Sequence, residues 1–362
     1  MDSNIQHGKW TFDDDRKKTY AYDNDINFNL YKCDDIVNIY NDNELNIGTF
    51  RRASVIHKLV RTELRKMIIS GVKFSELMDK TDEMLHKFIK PEENGGLAFP
   101  LGISVNNIAA HDTAFANDDR TLKKNDIVKI DLGVHIGGRI IDSAFTVIVE
   151  GDEHFVCNYQ PLLDSTSDAT FTGIKEMRPD ARLYEVSEKI EEVINSYELT
   201  DGTPIKPIFG LGGHNVLPYK VHGDKLILSK PHASQQGKKV VADEIYAIET
   251  FASTGNGTIK QMSVDSCNHF MLKDNFNKIS KSKNPVVKWA QKTNNNLPFT
   301  QYQCSKHSIT NYNRHIQEGI KKSEIVAYPV MSDISNTYTS QFEHTIHIKD
   351  KCVEILSLGK DY

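Results

Sequence analysis

The feature that most constrains this sequence is an internal repeat of its helix and strand patterns. Residues 74–85 match residues 183–194 in the order of their apolar, acidic and lysine positions. Further along, residues 127–131 match residues 245–249, and each of these apolar runs ends in a carboxylate with a glycine six positions later. Two matches in the same order favour a duplicated unit over a chance likeness between amphipathic helices. The sequence therefore predicts an α+β fold with two related halves, in which helices precede antiparallel strands.

A duplication of this kind also predicts where chemistry takes place. If a pseudo-twofold axis relates the halves, their strand-ending carboxylates, Asp131 and Glu249, face each other across it. Facing carboxylates repel each other unless a cation lies between them. The repeat thus indicates a shared cation site near the axis.

The first half contains an acidic β-hairpin. A two-residue turn at Gly137 and Gly138 places Asp131 opposite Ala144 and makes Asp142 its diagonal neighbour on the same face. Diagonal neighbours lie about 7–8 Å apart at the backbone, which lets two Asp side chains reach a common ion. Both residues lie in apolar runs, where two buried like charges without a cation would cost several kcal/mol or force protonation.

The hairpin alone leaves a second interpretation open. The two Asp side chains fit equally well on a wetted face of the sheet, where Lys129 or Arg139 would neutralise them through salt bridges. Further ligands are needed to decide between a surface pair and a metal site.

Three further side chains complete a ligand set. Glu249 and Glu343 each lie in a strand-like apolar context, and His214 follows a glycine-rich stretch, residues 210–213, that permits close approach of other groups. Four carboxylates and one imidazole suit a pair of Mn, Fe, Co or Zn ions. Such a pair can share a hydroxide and polarise a carbonyl. We find no G-x-S-x-G elbow, P-loop or G-x-G-x-x-G strand motif that would supply other chemistry.

The composition limits the cellular compartments and binding partners expected for this chain. The formal charge of -5 provides no global attraction to nucleic acid or anionic membrane, and we find no apolar run of about 18 residues. Five cysteines without C-x-x-C spacing argue against a disulfide framework or a thiolate zinc site. We expect a cytoplasmic protein that neither spans nor binds a membrane.

The chain divides into three predicted parts. Residues 1–48 form an N-terminal segment with a weak, irregular helix signal that packs on a catalytic domain spanning residues 49–362. The repeat is lost over residues 262–325, which predicts a helical insertion. Between Lys273 and Lys322 we count ten Lys or Arg against two Asp or Glu, which makes the insertion a basic island on an acidic protein. It is either a solvated surface or a docking site for RNA or an acidic partner.

Several segments together resemble the type 2 methionine aminopeptidases, which are dinuclear metallopeptidases of the pita-bread fold. The segments are residues 97–100, 104–111, 129–133, 142–144, 212–214, 245–251 and 341–345. The resemblance extends from about Gly48 to Tyr362, and the insertion at residues 262–325 favours type 2 over type 1. It implies two antiparallel, pseudo-twofold halves flanked by helices.

The resemblance also implies roles for the ligands. Asp131 would bind one of two divalent ions, Asp142 and Glu343 would bridge both, and His214 with Glu249 would complete the second. Glu249 would also accept a proton from the attacking water. The same five residues are reached independently from the strand patterns.

The resemblance implies further residue roles that the spacing of residues in the sequence does not predict. His111 and His222 would be catalytic residues that contact substrate, and His111 would be alkylated by fumagillin-type epoxides. The methionine pocket would add the following walls: Phe99, Val221, Phe251, His269 and Tyr328. The substrates would be the N-termini of nascent polypeptides, and the enzyme would act as a monomer, with ribosome docking through the basic insertion.

Two alternatives to removal of the initiator methionine remain at this point. An X-Pro peptidase has the same fold, although the segment around His111 and the insertion speak against it. A non-catalytic relative that binds RNA or ribosomes is supported only by the basic insertion, because all five ligand positions keep ligating residues.

Overall fold

The structure is a computed structural model that describes residues 10–12, 17–20, 26–29, 47–263, 266–274, 279–294 and 297–361. The helices are α1 (Ile47–Met67), α2 (Phe74–Phe88), α3 (Glu153–Glu176), α4 (Leu183–Asn195), α5 (Pro285–Thr293), α6 (Gln301–Lys306) and α7 (Tyr312–Lys321), with a short 3₁₀ turn at Ala233–Gln235. The strands are β1 (Trp10–Phe12), β2 (Lys17–Tyr20), β3 (Ile26–Asn29), β4 (Gly95–Leu97), β5 (Gly102–Val105), β6 (Ile108–Ala110), β7 (Ile127–Ile136), β8 (Arg139–Ile148), β9 (Lys206–Pro207), β10 (Gly212–Asn215), β11 (Leu226–Leu228), β12 (Ile245–Ser253), β13 (Lys260–Gln261), β14 (Phe270–Leu272), β15 (Ile325–Ala327), β16 (Met331–Ser332), β17 (Thr339–Ile348) and β18 (Val353–Ile355).

The predicted duplication is confirmed at the level of these elements. The two matching helical patterns form α2 and α4, and the two matching strand patterns form β7 and β12. In the first half β7 pairs antiparallel with β4, β5 and β8, and in the second half β12 pairs antiparallel with β10 and β17. The fold is the predicted α+β arrangement of two antiparallel halves flanked by helices.

The acidic hairpin has the register that its glycine turn predicts. Ile136 pairs with Arg139 across Gly137 and Gly138, and Asp131 therefore lies opposite Ala144. Both glycines have positive φ, +54° and +77°, as a two-residue hairpin turn of this kind requires. A slip of one residue would turn both Asp side chains to the other face, so the turn fixes the acidic face.

The two halves are joined where β8 lies beside β17. Thr345 Oγ1 accepts a hydrogen bond from the Asp142 amide at 2.7 Å and donates one to the Asp142 carbonyl at 2.6 Å. Ser143 Oγ donates to the Glu343 carbonyl at 2.8 Å. These contacts substitute side-chain hydroxyls for backbone pairing, which fixes the two acidic strands relative to each other.

Helices cover the outer side of each half. On α1, Ile56, Val60 and Leu64 recur at helical spacing and are fully buried against the first half. On α4, Val186 and Ile190 pack in the same way in the core of the second half. Shortening one such side chain to Ala costs about 2–5 kcal/mol. The helical layer thus stabilises the strands by packing on the outer side of each half.

The region that lacks the repeat contains α5, α6 and α7 and has a small core of its own. Asn284 caps α5 by accepting hydrogen bonds from the amides of Val286 and Val287, and Pro285 occupies the first helical position. At the other end of the chain, β3 runs parallel to β18 and adds β1 and β2 to the sheet of the second half. The division at residues 48, 262 and 325 remains a prediction.

Among the described residues, no helix is both long enough and apolar enough to cross a membrane.

Candidate metal centre

The five predicted ligands converge where the two halves meet. One ligand atom each from Asp142, His214 and Glu343 lies within 4.8 Å of the others, and the same holds for Asp131, Glu249 and Glu343. Glu343 belongs to both groups, which is the geometry of a ligand shared by two ions. Five residues from separate parts of the chain thus form one cluster.

Strand pairing explains how the ligands meet. Glu249 on β12 lies directly opposite Glu343 on β17, and His214 on β10 pairs with Ala247, two residues before Glu249. Gly213 permits this pairing, since a Cβ there would lie 2.2 Å from the Ala247 carbonyl oxygen. The glycine-rich stretch before His214 is therefore needed for close backbone approach.

Gln341 is a member of the site that sequence reasoning missed. Its Nε2 donates hydrogen bonds to Asp131 Oδ2 at 3.0 Å and to Glu249 Oε1 at 2.6 Å. Gln341 precedes Glu343 by two residues on β17 and so faces the same side, which is the signal that would have found it. Through this amide, Glu249 is hydrogen-bonded to the same side chain as Asp131. The resemblance instead assigns Glu249 and His214 to the same ion. The division of the ligands between two ions stays a prediction.

The carboxyl groups are strongly perturbed by their surroundings. Burial raises the pKa of Asp131 to about 6. Burial, together with the charges of the neighbouring carboxyls, raises the pKa of Asp142, Glu249 and Glu343 well above the ordinary range. Burial contributes to all four shifts and neighbouring negative charge to the last three, so the cluster favours occupation by cations.

Two observations test whether divalent ions fit. Asp131 Oδ1, Asp142 Oδ1 and Glu343 Oε2 are buried and accept no hydrogen bond, although buried polar atoms are nearly always satisfied. Four carboxylates and a neutral imidazole also carry the charge that two divalent cations balance. The residues therefore fit a pair of divalent ions, and an oxygen-rich shell with one imidazole is the set preferred by Mn, Fe, Co and Zn.

The wetted-face interpretation of the hairpin is wrong. Lys129 is fully buried and donates to the backbone carbonyl of Asn106 at 2.8 Å. Arg139 donates to the Gly137 carbonyl at the turn. Among the residues that the structure describes, neither cation forms a salt bridge with Asp131 or Asp142.

His214 is oriented for coordination. Its Nδ1 lies 3.4 Å from the Asn215 carbonyl, and its Nε2 lies 3.8 Å from Asp142 Oδ2. A proton on Nδ1 leaves the Nε2 lone pair directed at the cluster, which is the tautomer that a metal ligand needs. Burial and the nearby His222 lower the pKa of His214 well below its usual value, so the ring is neutral at pH 7.

A cavity of about 700 Å³ opens onto the cluster. Four of the five ligands line it, and so do all seven residues that the resemblance assigns to the substrate. These seven are Phe99, His111, Val221, His222, Phe251, His269 and Tyr328. The cavity walls also include residues that sequence reasoning did not select, among them Met271, Leu297 and Met331.

Three rings group together in the cavity. His111 lies 5.2 Å from His269 and 5.7 Å from Tyr328 between ring centroids, and His269 lies 5.2 Å from Tyr328. Burial lowers the pKa of His111 to about 4, and burial with the nearby His111 and His222 lowers the pKa of His269 well below its ordinary value. Both rings are therefore neutral hydrogen-bonding groups at pH 7.

Comparison with known proteins assigns the family. Residues 48–274 match the model of metallopeptidase family M24. The chain is 35% identical over 330 residues to methionine aminopeptidase 2 of Laccaria bicolor, with 89% of each chain covered. The chain belongs to the type 2 methionine aminopeptidases of family M24.

Solved structures support the fold. A thermophilic Arx1 superposes with a TM-score of 0.73 at 17% identity, over 87% of this chain and 91% of the other. A methionine aminopeptidase from Thermotoga maritima superposes with a TM-score of 0.59 at 20% identity, over 88% and 98%. The expected pita-bread fold is thereby confirmed, and the expected family is confirmed by the family model and the 35% identical relative. As a member of this family, the chain is a metalloaminopeptidase with a dinuclear divalent metal centre.

Proposed function

We propose that this enzyme removes the initiator methionine from nascent proteins in the cytoplasm, as a monomer, when the second residue is small. The observation that carries the proposal is the convergence of five ligand side chains, four of which line a cavity with largely apolar walls. Two divalent ions in this shell supply an activated water and polarise the scissile carbonyl. The remaining chemistry belongs to side chains of the chain itself.

We infer that His111 and His222 act on the scissile amide. His111 Nδ1 lies 3.2 Å from the Pro329 carbonyl, so a proton there is held by the backbone and Nε2 faces the cavity. The His222 ring packs against His214 with centroids 4.1 Å apart, beside the ligands. In our proposal His111 hydrogen-bonds the amide being cleaved and His222 steadies the developing tetrahedral centre, each worth one to a few kcal/mol.

Glu249 is the proposed proton acceptor. Its carboxyl is held by Gln341 at 2.6 Å, and burial raises its pKa well above the ordinary range. Glu249 lies among the residues that would hold the two ions, so its carboxylate would be close to the water that the ions activate. Glu249 would take the proton of that water and pass it to the leaving nitrogen.

The methionine side chain would occupy the apolar part of the cavity. Phe99, Val221 and Phe251 are nearly fully buried and line this part of the cavity. The rings of His269 and Tyr328 also line the cavity. A flexible thioether fills irregular apolar space and makes favourable sulfur–aromatic contacts. In our proposal the same walls exclude bulky side chains next to the scissile bond, which would restrict the second residue to small side chains.

Specificity tests this proposal. We expect Met-Ala-Ser to be cleaved, and Met-Leu-Ser to be cleaved at least about 100-fold more slowly because a bulky second residue clashes with the cavity wall. Release of free methionine is measured by mass spectrometry with each peptide at equal concentration. Cleavage of Ala-Pro or Gly-Pro peptides in preference to Met-Ala-Ser would overturn the proposal in favour of an X-Pro peptidase.

Alkylation tests the position of His111. A fumagillin-type epoxide is expected to add one equivalent to the chain at His111, because this neutral ring presents Nε2 to the cavity. Intact-mass and peptide mass spectrometry locate the adduct, and His111→Asn should show none. An adduct on another residue would remove His111 from its proposed place.

The basic island supports a second proposal, docking on ribosomal RNA. Exposed lysines there have no ion-pair partner among the described residues, whereas Lys306 and Arg314 are paired with Asp79 and Glu318. The unpaired lysines are Lys273, Lys281, Lys283, Lys288, Lys292, Lys321 and Lys322. Unpaired surface lysines bind phosphates by releasing counterions.

Charge reversal tests docking. Lys288→Glu with Lys292→Glu, both on α5, should weaken co-sedimentation with ribosomes about tenfold at moderate salt and leave peptide cleavage unchanged. Lys66→Glu with Lys189→Glu, on the exposed faces of α1 and α4, makes the same net change elsewhere and serves as the control. Equal loss in both double variants, or no loss in either, would show that the basic island is a solvated surface.

A further inference from the structure

His111 has an unusual backbone. It follows the last residue of β6 and has a φ of +68°, in the left-handed region that only a few per cent of non-glycine residues adopt. Strained residues of this kind cluster at functional sites and persist only where the surroundings hold them. Upstream, Ala110 pairs with Met331 of β16. The residues on the side that follows His111 belong to no strand of their own.

An ion pair holds that side instead. The next residue, Asp112, is buried, and both of its carboxylate oxygens accept hydrogen bonds from Arg120 Nη1, at 3.0 and 2.8 Å. Arg120 Nη2 donates to the Thr113 carbonyl at 2.8 Å. The Asp112 carbonyl accepts from the amide of Ile103, on β5, at 2.8 Å. The two residues after His111 are thus fixed through both side chain and backbone.

Arg120 is itself immobilised. Its Nε and Nη2 donate to the carboxylate of Asp118 at 2.8–3.1 Å, and its guanidinium lies 4.5 Å above the centroid of the Phe74 ring. The Arg120 side chain is 40% exposed, but a guanidinium with this many partners has little rotamer freedom. Asn268 Nδ2 also donates a hydrogen bond to the carbonyl of Ala114, the third residue after His111.

We propose that the Arg120–Asp112 ion pair is a positioning device that keeps His111 in its left-handed backbone conformation and its Nε2 directed at the scissile amide. Neither residue lines the cavity, so both act through His111 and not on the substrate. The proposal rests on the proposed role of His111. Loss of the pair would let the segment relax and shift the imidazole away from the reacting bond while the metal ligands stay in place.

Kinetics of Arg120→Gln test the proposal. We expect kcat to fall about 10- to 100-fold, since small displacements of a catalytic group have effects of this size, with KM changed less than about twofold. The rate of alkylation by fumagillin should fall in parallel, which reports the position of the ring without substrate turnover. Arg120→Lys keeps the charge but lacks the planar fork, and it should restore only part of kcat. If Arg120→Gln does not fold, Arg120→Lys is tested in its place. By the same reasoning, we expect its kcat to be at least threefold below that of wild type.

Arg52→Gln provides the matched control. Arg52 forms a similar two-pronged pair with Glu93, at 2.8 and 3.0 Å, but on α1 and outside the cavity. Its loss should lower thermal stability comparably and leave kcat within about twofold of wild type. The proposal would be overturned if Arg52→Gln and Arg120→Gln lost kcat equally. It would also be overturned if the Arg120 variant that is measured, Gln or Lys, kept the kcat of wild type.

A double variant separates this inference from the function it rests on. If Arg120 acts through His111, adding Arg120→Gln to His111→Ala should cost no further kcat. Wild-type kcat in His111→Ala would overturn the proposed role of His111 and the positioning device with it. Low kcat in His111→Ala with a further loss in the double variant would keep the role of His111 and overturn the device alone.

Discussion

Asp142→Asn is expected to reduce peptide hydrolysis by about 10³-fold or more, because a carboxylate that we propose as a ligand of both ions is replaced with a neutral amide of the same shape. Asp142 is buried, its backbone is fixed by Thr345, and Asn keeps both features. The metal content of the purified protein should fall in parallel with activity. Rates are measured on Met-Ala-Ser with each candidate ion in excess.

The fold of this variant should be preserved or strengthened. Without metal, Asp142 lies buried beside other carboxyls, so removing one charge lowers the repulsion within the cluster. The metal-free variant is therefore expected to unfold at a higher temperature than metal-free wild type at pH 7. Asp180→Asn, at an exposed left-handed position, is the matched control and should change neither property. Wild-type turnover by Asp142→Asn would remove Asp142 from the centre.

Removal of metal is the second large effect we predict. Ions present at about 1,000 times their dissociation constant stabilise the folded state by about 4 kcal/mol, so chelation should lower the free energy of unfolding by about that amount. Activity should be lost with the ions and return when Mn, Fe, Co or Zn is restored. Chemical denaturation monitored by circular dichroism, with and without chelator, gives both free energies. An unchanged free energy of unfolding after complete removal of metal would contradict the prediction.

The metal-free protein should also respond to pH in a defined direction. Folding raises the pKa of these carboxyls above their unfolded values, from 3.8 to about 6 for Asp131. Their contribution to stability is therefore fully present below pH 3.8 and is lost as the pH rises through the folded pKa. Between about pH 5 and pH 7, metal-free wild type should lose more stability than metal-free Asp142→Asn. Equal slopes for the two proteins would contradict this coupling.

Much of the site was predictable because strand geometry is local. The Gly137 and Gly138 turn fixes the register of the hairpin, and the alternation of a strand then places Asp131 and Asp142 on one face. The duplication extended the argument to Glu249. These inferences need only pairing and periodicity, which made Asp131, Asp142 and Glu249 predictable. Glu343 was indicated by its apolar, strand-like context and His214 by the glycine-rich stretch before it.

Other parts of the site depend on contacts that periodicity does not encode. Gln341 reaches Asp131 across 210 positions of sequence, and Asp112 meets Arg120 through a loop whose path the pattern leaves open. The cavity histidines, His111 and His222, came from family resemblance alone, since a single histidine carries no period. Asp131 also lacks the Lys129 partner that a surface hairpin would have allowed, because Lys129 is buried against backbone carbonyls.

The most direct test of the two-ion centre is anomalous X-ray scattering from crystals grown with Mn²⁺. We predict two anomalous peaks about 3.5–4 Å apart, surrounded by the carboxylates and the imidazole of the cluster. Those ligands are Asp131, Asp142, His214, Glu249 and Glu343. Absence of any peak among these side chains in an active, Mn-loaded crystal, or ions bound only elsewhere, would contradict the account.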